Sequence, residues 1–183
     1  MKFAETERLI LRRPRPEDLQ AYLRSWADPM MTRYTGIRPD IERFITALLE
    51  EMQSKQPGDT EPQPWYQVTI ERRGDGAVVG DLGLGFGVPG DRQVELGYRI
   101  HPDHQRRGYG REAVAAAISW LIESHNIHRF VGVAAAENVA STTLLRSLDF
   151  RKEGHFRQSF LCNGEWIDDE YYALLASEWR ERR

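Results

Sequence analysis

The chain has 183 residues, of which 40% are apolar, 29% are charged and one is a cysteine. That balance describes a folded, soluble protein and excludes a disordered one, while the lone Cys162 excludes an intrachain disulfide or a cysteine-based zinc finger. With 25 basic and 28 acidic residues the net charge is -3, which gives nucleic acid no general attraction.

In chain order, Arg8 to Arg12 reads as a short strand. Pro16, Glu17 and Asp18 open a helix, because proline suits a first helical turn and acids suit its positive end. Leu19, Tyr22, Leu23 and Trp26 share one face of it, and Asp28-Pro29 stops it. Ile41, Phe44, Ile45, Leu48, Leu49 and Met52 repeat at helical spacing after Pro39-Asp40. Gln53 to Pro64, polar and proline-rich, reads as a loop, either a lid over a site or a tolerant connector.

Tyr66–Arg72 and Ala77–Phe86 read as a hairpin around Gly74-Asp75-Gly76. Val94–Ile100 is a further strand after a turn at Pro89-Gly90-Asp91. A helix runs from Gly108 to about Ser124, a buried-type strand over Arg129–Ala134, and a helix over Asn138–Leu148. Arg151–Leu161 and Trp166–Leu175 form a closing hairpin at Asn163-Gly164, and Arg180 to Arg183 reads as a solvated tail. Helices between strand runs imply a mixed α/β sheet. No domain break or repeat interrupts it, so 1–183 is expected to be a single domain. No apolar run approaches the ~18 residues that cross a bilayer. The N-terminal stretch from Met1 to Arg8 has no secretory core, so no membrane partner and a reducing, cytoplasmic setting are expected.

Chemistry concentrates in Gln105-Arg106-Arg107-Gly108-Tyr109-Gly110, between a strand and a helix start. A helix N-terminus presents unpaired amides and a partial positive charge, glycines admit close approach, and two arginines add full charges. The expected ligand is a phosphate or pyrophosphate. The segment lacks both the P-loop pattern and the three-glycine dinucleotide pattern.

Val94 to Val114 resembles motif A of the GNAT superfamily of acetyl-CoA-dependent N-acetyltransferases, with Gln105, Gly108 and Gly110 at its hallmark positions. Glu137 to Phe150 resembles the family's motif B. Thr6 to Arg12 and Trp26 to Pro29 resemble the openings of the branch containing the ribosomal-protein N-terminal acetyltransferases. The resemblance implies an α/β GNAT fold: a mixed, mostly antiparallel seven-stranded sheet flanked by about four helices. Its fourth and fifth strands, here Val94–Ile100 and Arg129–Ala134, would splay to admit pantetheine. It also implies that backbone amides of Gln105, Arg106, Arg107, Gly108, Tyr109 and Gly110 hold the pyrophosphate of acetyl-CoA. The backbone near Ile100 would bind pantetheine and polarise the thioester, and the Asn138 side chain would bind pantetheine while also capping the next helix. No metal is implied, and a homodimer is compatible with the resemblance.

Acetyl transfer to an amine needs a proton acceptor, since an alkyl amine with pKa near ~10 is mostly charged at neutral pH. In this superfamily a glutamate on the fourth strand often serves, which makes Glu95 the candidate base; the alternative is an outward glutamate paired with a neighbouring cation. The tyrosine that many relatives use as general acid is replaced by Leu145. Ser141, one turn earlier, is the substitute candidate for stabilising the leaving thiolate, or else a helix-surface serine. Asp149 stands where the family has glycine, at a position expected to need left-handed backbone.

Gly83, Gly85 and Gly87 share one strand face and leave it bare, to floor an acceptor channel or to pack under a helix. Glu165, Asp168, Asp169 and Glu170 would attract a cationic amine or form a solvated turn. Trp26, Tyr34, Trp65 and Trp166 line a pocket or belong to the core. The pairs His101/His104 and His125/His128 lack the acids of a metal site, and Cys162 has no histidine adjacent in sequence, which argues against a covalent acetyl-cysteine route. The expected activity is acetyl transfer from acetyl-CoA to a primary amine, either a peptide N-terminus or a small molecule, in a ternary complex. The alternative is a non-catalytic acyl-CoA sensor.

Overall fold

Eight strands among the described residues make one sheet and lie side by side in chain order, except that the eighth lies between the sixth and the seventh. The structure is a computed structural model that describes residues 1–59, 65–87 and 90–182. The strands are β1 (Lys2–Glu5), β2 (Leu9–Arg12), β3 (Trp65–Arg72), β4 (Val78–Phe86), β5 (Gln93–Ile100), β6 (Arg129–Ala135), β7 (Arg151–Cys162) and β8 (Glu165–Leu175). The helices are α1 (Leu19–Trp26), α2 (Pro29–Thr35), α3 (Ile41–Ser54), α4 (Tyr109–His125), α5 (Val139–Ser147) and α6 (Ala176–Arg180). All neighbouring strands are antiparallel except β5 beside β6.

The seven strands and four helices expected become eight and six, for local reasons. β1 spans four residues, too few to show alternation, and is tied down by pairing with β2 and by Phe3 stacking on Trp120 at 5.0 Å. Asp28-Pro29 ends α1 and also starts α2. The Asp28 carboxylate accepts from the Met30 amide at 2.8 Å, and Pro29 supplies the fixed φ of a first helical residue. The chain end is no free tail: α6 turns back, and Arg182 donates to the Leu148 carbonyl at 2.9 Å and pairs with Asp149. Asp149 has φ of 59°, the left-handed backbone expected there. The loop expected over Gln53–Pro64 starts later, since Gln53 and Ser54 still belong to α3; residues 60–64, and Pro89 of the expected turn, lie outside the described residues.

Period-two alternation assigns the two faces of the sheet. On one face Val94, Leu96 and Phe130 meet the α4 side chains Ala113, Val114, Ala117, Ile118 and Leu121, all essentially buried. Each large aliphatic side chain so buried contributes roughly 1.5–3 kcal/mol. On the other face α1 and α3 pack Tyr22, Ile45 and Leu49. Beneath α1 lies a polar network. Arg12 donates to both Asp18 oxygens at 2.8 and 2.9 Å, Thr69 donates to Asp18 at 3.0 Å, and the Tyr22 and Thr69 hydroxyls lie 3.0 Å apart. Burial pushes the Asp18 carboxyl up, but the Arg12 guanidinium, the Arg15 amide and the Thr69 hydroxyl outweigh it and hold it below the usual range.

The feature that matters for function is where β5 and β6 stop pairing. They share only Gln93↔Arg129, Val94↔Phe130 and Glu95↔Val131, yet run on to Ile100 and Ala135. Beyond Glu95 the two strands part, as the resemblance implied, and a wedge-shaped gap opens in the middle of the sheet. No helix among the described residues is long and apolar enough to cross a membrane.

Candidate active site

The gap has a polar rim on its α4 side. His101 donates its amide to the Val79 carbonyl at 2.9 Å, and β5 pairs with β4 in unbroken register from Val94 to Ile100. Odd-numbered residues of β5 therefore bond to β4, and the amides of Leu96, Tyr98 and Ile100 point into the gap. The Ile100 carbonyl accepts from the Gln105 side chain at 3.0 Å, which leaves its amide as the free group.

After a short turn over Pro102–His104 the chain enters α4. Arg106 (φ 58°) and Gly108 (φ 80°) are left-handed, and they wrap the loop over the helix N-terminus. The first α4 bond runs from the Glu112 amide to the Gly108 carbonyl at 3.1 Å, so the amides from Gly108 to Arg111 precede any intrahelical partner. Arg106 and Arg107 are exposed beside them and Tyr109 is buried. Gly110 has a different reason from Gly108: a Cβ there would lie 2.8 Å from Leu144 Cδ1 and 3.4 Å from Ile100 Cγ1, so close packing of α4, α5 and β5 demands glycine.

Arg8 anchors this loop, a role that nothing in its local sequence signals. It donates to the Arg107 carbonyl at 3.0 Å, bonds Glu112 at 2.7 and 2.5 Å, and lies over the Tyr109 ring at 4.9 Å. Thr6 donates to the same Glu112 at 2.5 Å.

α5 forms the other wall. Asn138 caps it, its side-chain Oδ1 accepting from the Ser141 amide at 3.1 Å, and its side-chain Nδ2 has no partner among the described residues. The Ser141 hydroxyl lies 2.8 Å from the Tyr98 hydroxyl, which is also 3.1 Å from the Ser141 carbonyl. Burial pushes the Tyr98 phenol up to about 12. Tyr98 thus bridges the gap from β5 to α5; its position two residues beyond Leu96 puts it on the α4 face, a signal present in the sequence and unused. Leu145, where relatives carry tyrosine, is buried against β6, and a Cβ on Gly132 would lie 2.6 Å from Leu145 Cδ2.

Glu95 projects from the opposite face, next to Gly85 on β4 and Val131 on β6 at the apex of the gap. Burial raises its carboxyl above the usual range, and no cation among the described residues pairs with it.

The glycine floor is not bare. The Trp65 indole lies on it: a Cβ at Gly83 would sit 3.2 Å from Trp65 Cε3, and one at Gly85 would sit 3.0 Å from Cζ2. Trp26 belongs to the core, donating to the buried Asp81 at 3.0 Å, where Arg99 also binds at 3.3 Å. Tyr34 donates to the Glu137 carbonyl at 3.3 Å, and Trp166 is exposed. Asn163, at the tip of the β7–β8 hairpin, donates to the Thr32 carbonyl of α2 at 3.1 Å and accepts from the Ile37 amide just beyond that helix at 3.0 Å. Cys162 is buried at the same junction. The acidic cluster is largely neutralised: Asp168 faces His155 at 2.7 Å, and the Lys152 ammonium, 2.5 Å away, holds Glu170 at about 2. No group of three or more histidine, cysteine or acidic residues among the described residues is placed to hold a metal.

Donor amides at a helix start, donor amides along a split strand, and an unpaired carboxyl beyond them suit a long phosphorylated thioester on one side and an amine on the other. Comparison with known proteins shows the family. Residues 8–151 match the family described as acetyltransferase (GNAT) domain. The uncharacterized N-acetyltransferase YoaA of Bacillus subtilis is 30% identical over 179 residues, 93% of this chain and 95% of that one. The ribosomal protein uS5-alanine N-acetyltransferase of Escherichia coli is 35% identical over 88 residues, 48% of this chain and 45% of that one. The solved spermidine N-acetyltransferase from Vibrio cholerae, in complex with CoA and spermine, has the same fold, with a TM-score of 0.81 over 96% of this chain and 99% of that one at 20% identity. A split sheet with this order of motifs, matched along most of its length, makes the chain a member of the GNAT family of acetyl-CoA-dependent acetyltransferases.

Proposed function

We propose that residues 1–183 act as one cytoplasmic domain that transfers acetyl from acetyl-CoA to a primary amine, with both substrates bound together. The observation that carries this reading is the division of chemistry across the gap. Glu95 stands unpaired on one face, and Ser141 with Tyr98 stands on the other.

Acetyl-CoA supplies an activated acyl group. The free amides from Gly108 to Arg111, with Arg106 and Arg107, suit its pyrophosphate. The gap-facing amides of Tyr98 and Ile100 suit the pantetheine arm, and so does the Asn138 side-chain Nδ2, unpartnered among the described residues. An amide aimed at the thioester oxygen stabilises the charge that develops there, worth roughly 10²–10³ in rate for one good donor. Glu95, raised by burial toward the working range of a base, takes the proton of the incoming amine. Ser141 donates a hydrogen bond to the departing sulfur, whose thiol pKa near ~8.5 demands little further help. Tyr98 is a poor acid at about 12; it positions the serine hydroxyl instead.

The test is a calorimetric titration with acetyl-CoA, followed by thiol release in the presence of amines. One-to-one binding and amine-dependent thiol release support the reading. Binding without turnover on any amine would leave an acyl-CoA sensor, and no binding at millimolar ligand would refute both.

A further inference from the structure

The seating of Trp65 asks for an explanation. Its row across the sheet is Trp65↔Gly85↔Glu95↔Val131, so the indole and the proposed base are separated by one glycine on the same face. The indole lies flat over Gly83 and Gly85 and reaches Gly97, whose Cβ position is 3.7 Å from Trp65 Cζ3. Despite this seating the side chain stays 40% exposed. A tryptophan whose inner face is fully used and whose outer face is open offers one ring surface for stacking.

The other flank of the gap repeats the pattern independently. Tyr171 pairs with Val133, two residues past the last shared pair, which sets it level with Gly97 on the far side of the opening. Tyr171 is 39% exposed and packs on Phe156 with ring centroids 4.4 Å apart. Trp65 and Tyr171 therefore flank the same mouth, with Glu95 at its apex. On this face Asp81 is engaged by Arg99 and Asp169 accepts from the Ser159 hydroxyl at 3.0 Å, while Asp168 and Glu170 turn to the opposite face.

We infer that the acceptor carries a planar aromatic group close to its primary amine, stacked on the open face of Trp65 with Tyr171 lining the far flank of the mouth, while the amine reaches Glu95. This rests on the transferase reading above. The test compares 2-phenylethylamine, hexylamine and spermidine as acceptors, by thiol release from acetyl-CoA. The expected result is a preference for phenylethylamine. Trp65→Leu and Tyr171→Leu should each cut the phenylethylamine-over-hexylamine ratio of kcat/KM roughly 2- to 10-fold, mainly through KM, while Trp65→Phe keeps most of it. Acetyl-CoA affinity reports folding; if Trp65→Leu loses it, Tyr171→Leu decides. Hexylamine or spermidine preferred, with ratios unmoved in the variants, overturns this inference and leaves the transferase reading standing. No turnover on any amine despite acetyl-CoA binding overturns the transferase reading, and this inference with it.

Discussion

Gly132 on β6 offers the sharpest test of how α5 is held. A methyl group there would lie 2.6 Å from Leu145 Cδ2, 3.0 Å from Cδ1 and 3.4 Å from Cγ. Ordinary contact begins near 3.4 Å, so Gly132→Ala forces Leu145 back by about 0.8 Å or out of its rotamer. Leu145 is buried, and overpacking of a buried side chain costs about 1–3 kcal/mol. Alanine returns roughly 0.5–1 kcal/mol of backbone entropy, so the net loss should be about 0.5–2 kcal/mol. The shift also carries Ser141, one turn away, from its 2.8 Å contact with Tyr98. A displacement near ~1 Å at a reacting group costs up to roughly 100-fold in rate. Urea unfolding gives the first quantity and amine-dependent thiol release the second. Leu145→Ala alone should cost about 2–5 kcal/mol, and the double variant less than the sum, because the new methyl fills the vacated space. A Gly132→Ala protein with parental stability and full turnover would refute the packing argument.

Three further outcomes follow from the same geometry. Glu95→Gln should lower kcat/KM roughly 10²- to 10⁴-fold. It should also stabilise the fold at neutral pH: a carboxyl raised by burial contributes stability that is complete below its unfolded pKa and lost as pH rises through the folded value, and glutamine removes that loss. Thermal melts at pH 4 and pH 8 check the sign; a variant less stable than the parent at pH 8 would contradict it. Asn138→Ala should cost about 1 kcal/mol of stability through the lost α5 cap, and should weaken acetyl-CoA in calorimetry if the free amide contacts pantetheine. Tyr98→Phe should lower kcat while leaving the acetyl-CoA Kd within a few-fold, because it frees the Ser141 hydroxyl to rotate; an unchanged kcat would remove Tyr98 from the proposed machinery.

Some misses were local and readable. Asp28-Pro29 is a stop for α1 and a start for α2, because the same aspartate side chain that breaks one helix caps the next. Asp149 was readable at once, since few residues tolerate φ of 59°. Trp65 was readable only in half. Glycines with period two announce a surface without side chains, but the ring that covers it comes from another strand, and register alone brings the two together. Arg8 was unreadable, because its partner Glu112 lies 104 residues away.

The family came from the resemblance of motifs spread along the chain; by itself the sequence determined the order of most strands and helices and the glycine-cornered helix start at Gly108. These depend on spacing within one or two turns, where side-chain periodicity and backbone sterics act locally. Only the tertiary structure decided that β5 and β6 part after Glu95, that Glu95 faces away from α4 with no cation beside it among the described residues, and that Tyr98 meets Ser141 across the opening. Those depend on the register between strands far apart in the chain. A shift of one residue there would turn every side chain to the other face while leaving the local pattern unchanged.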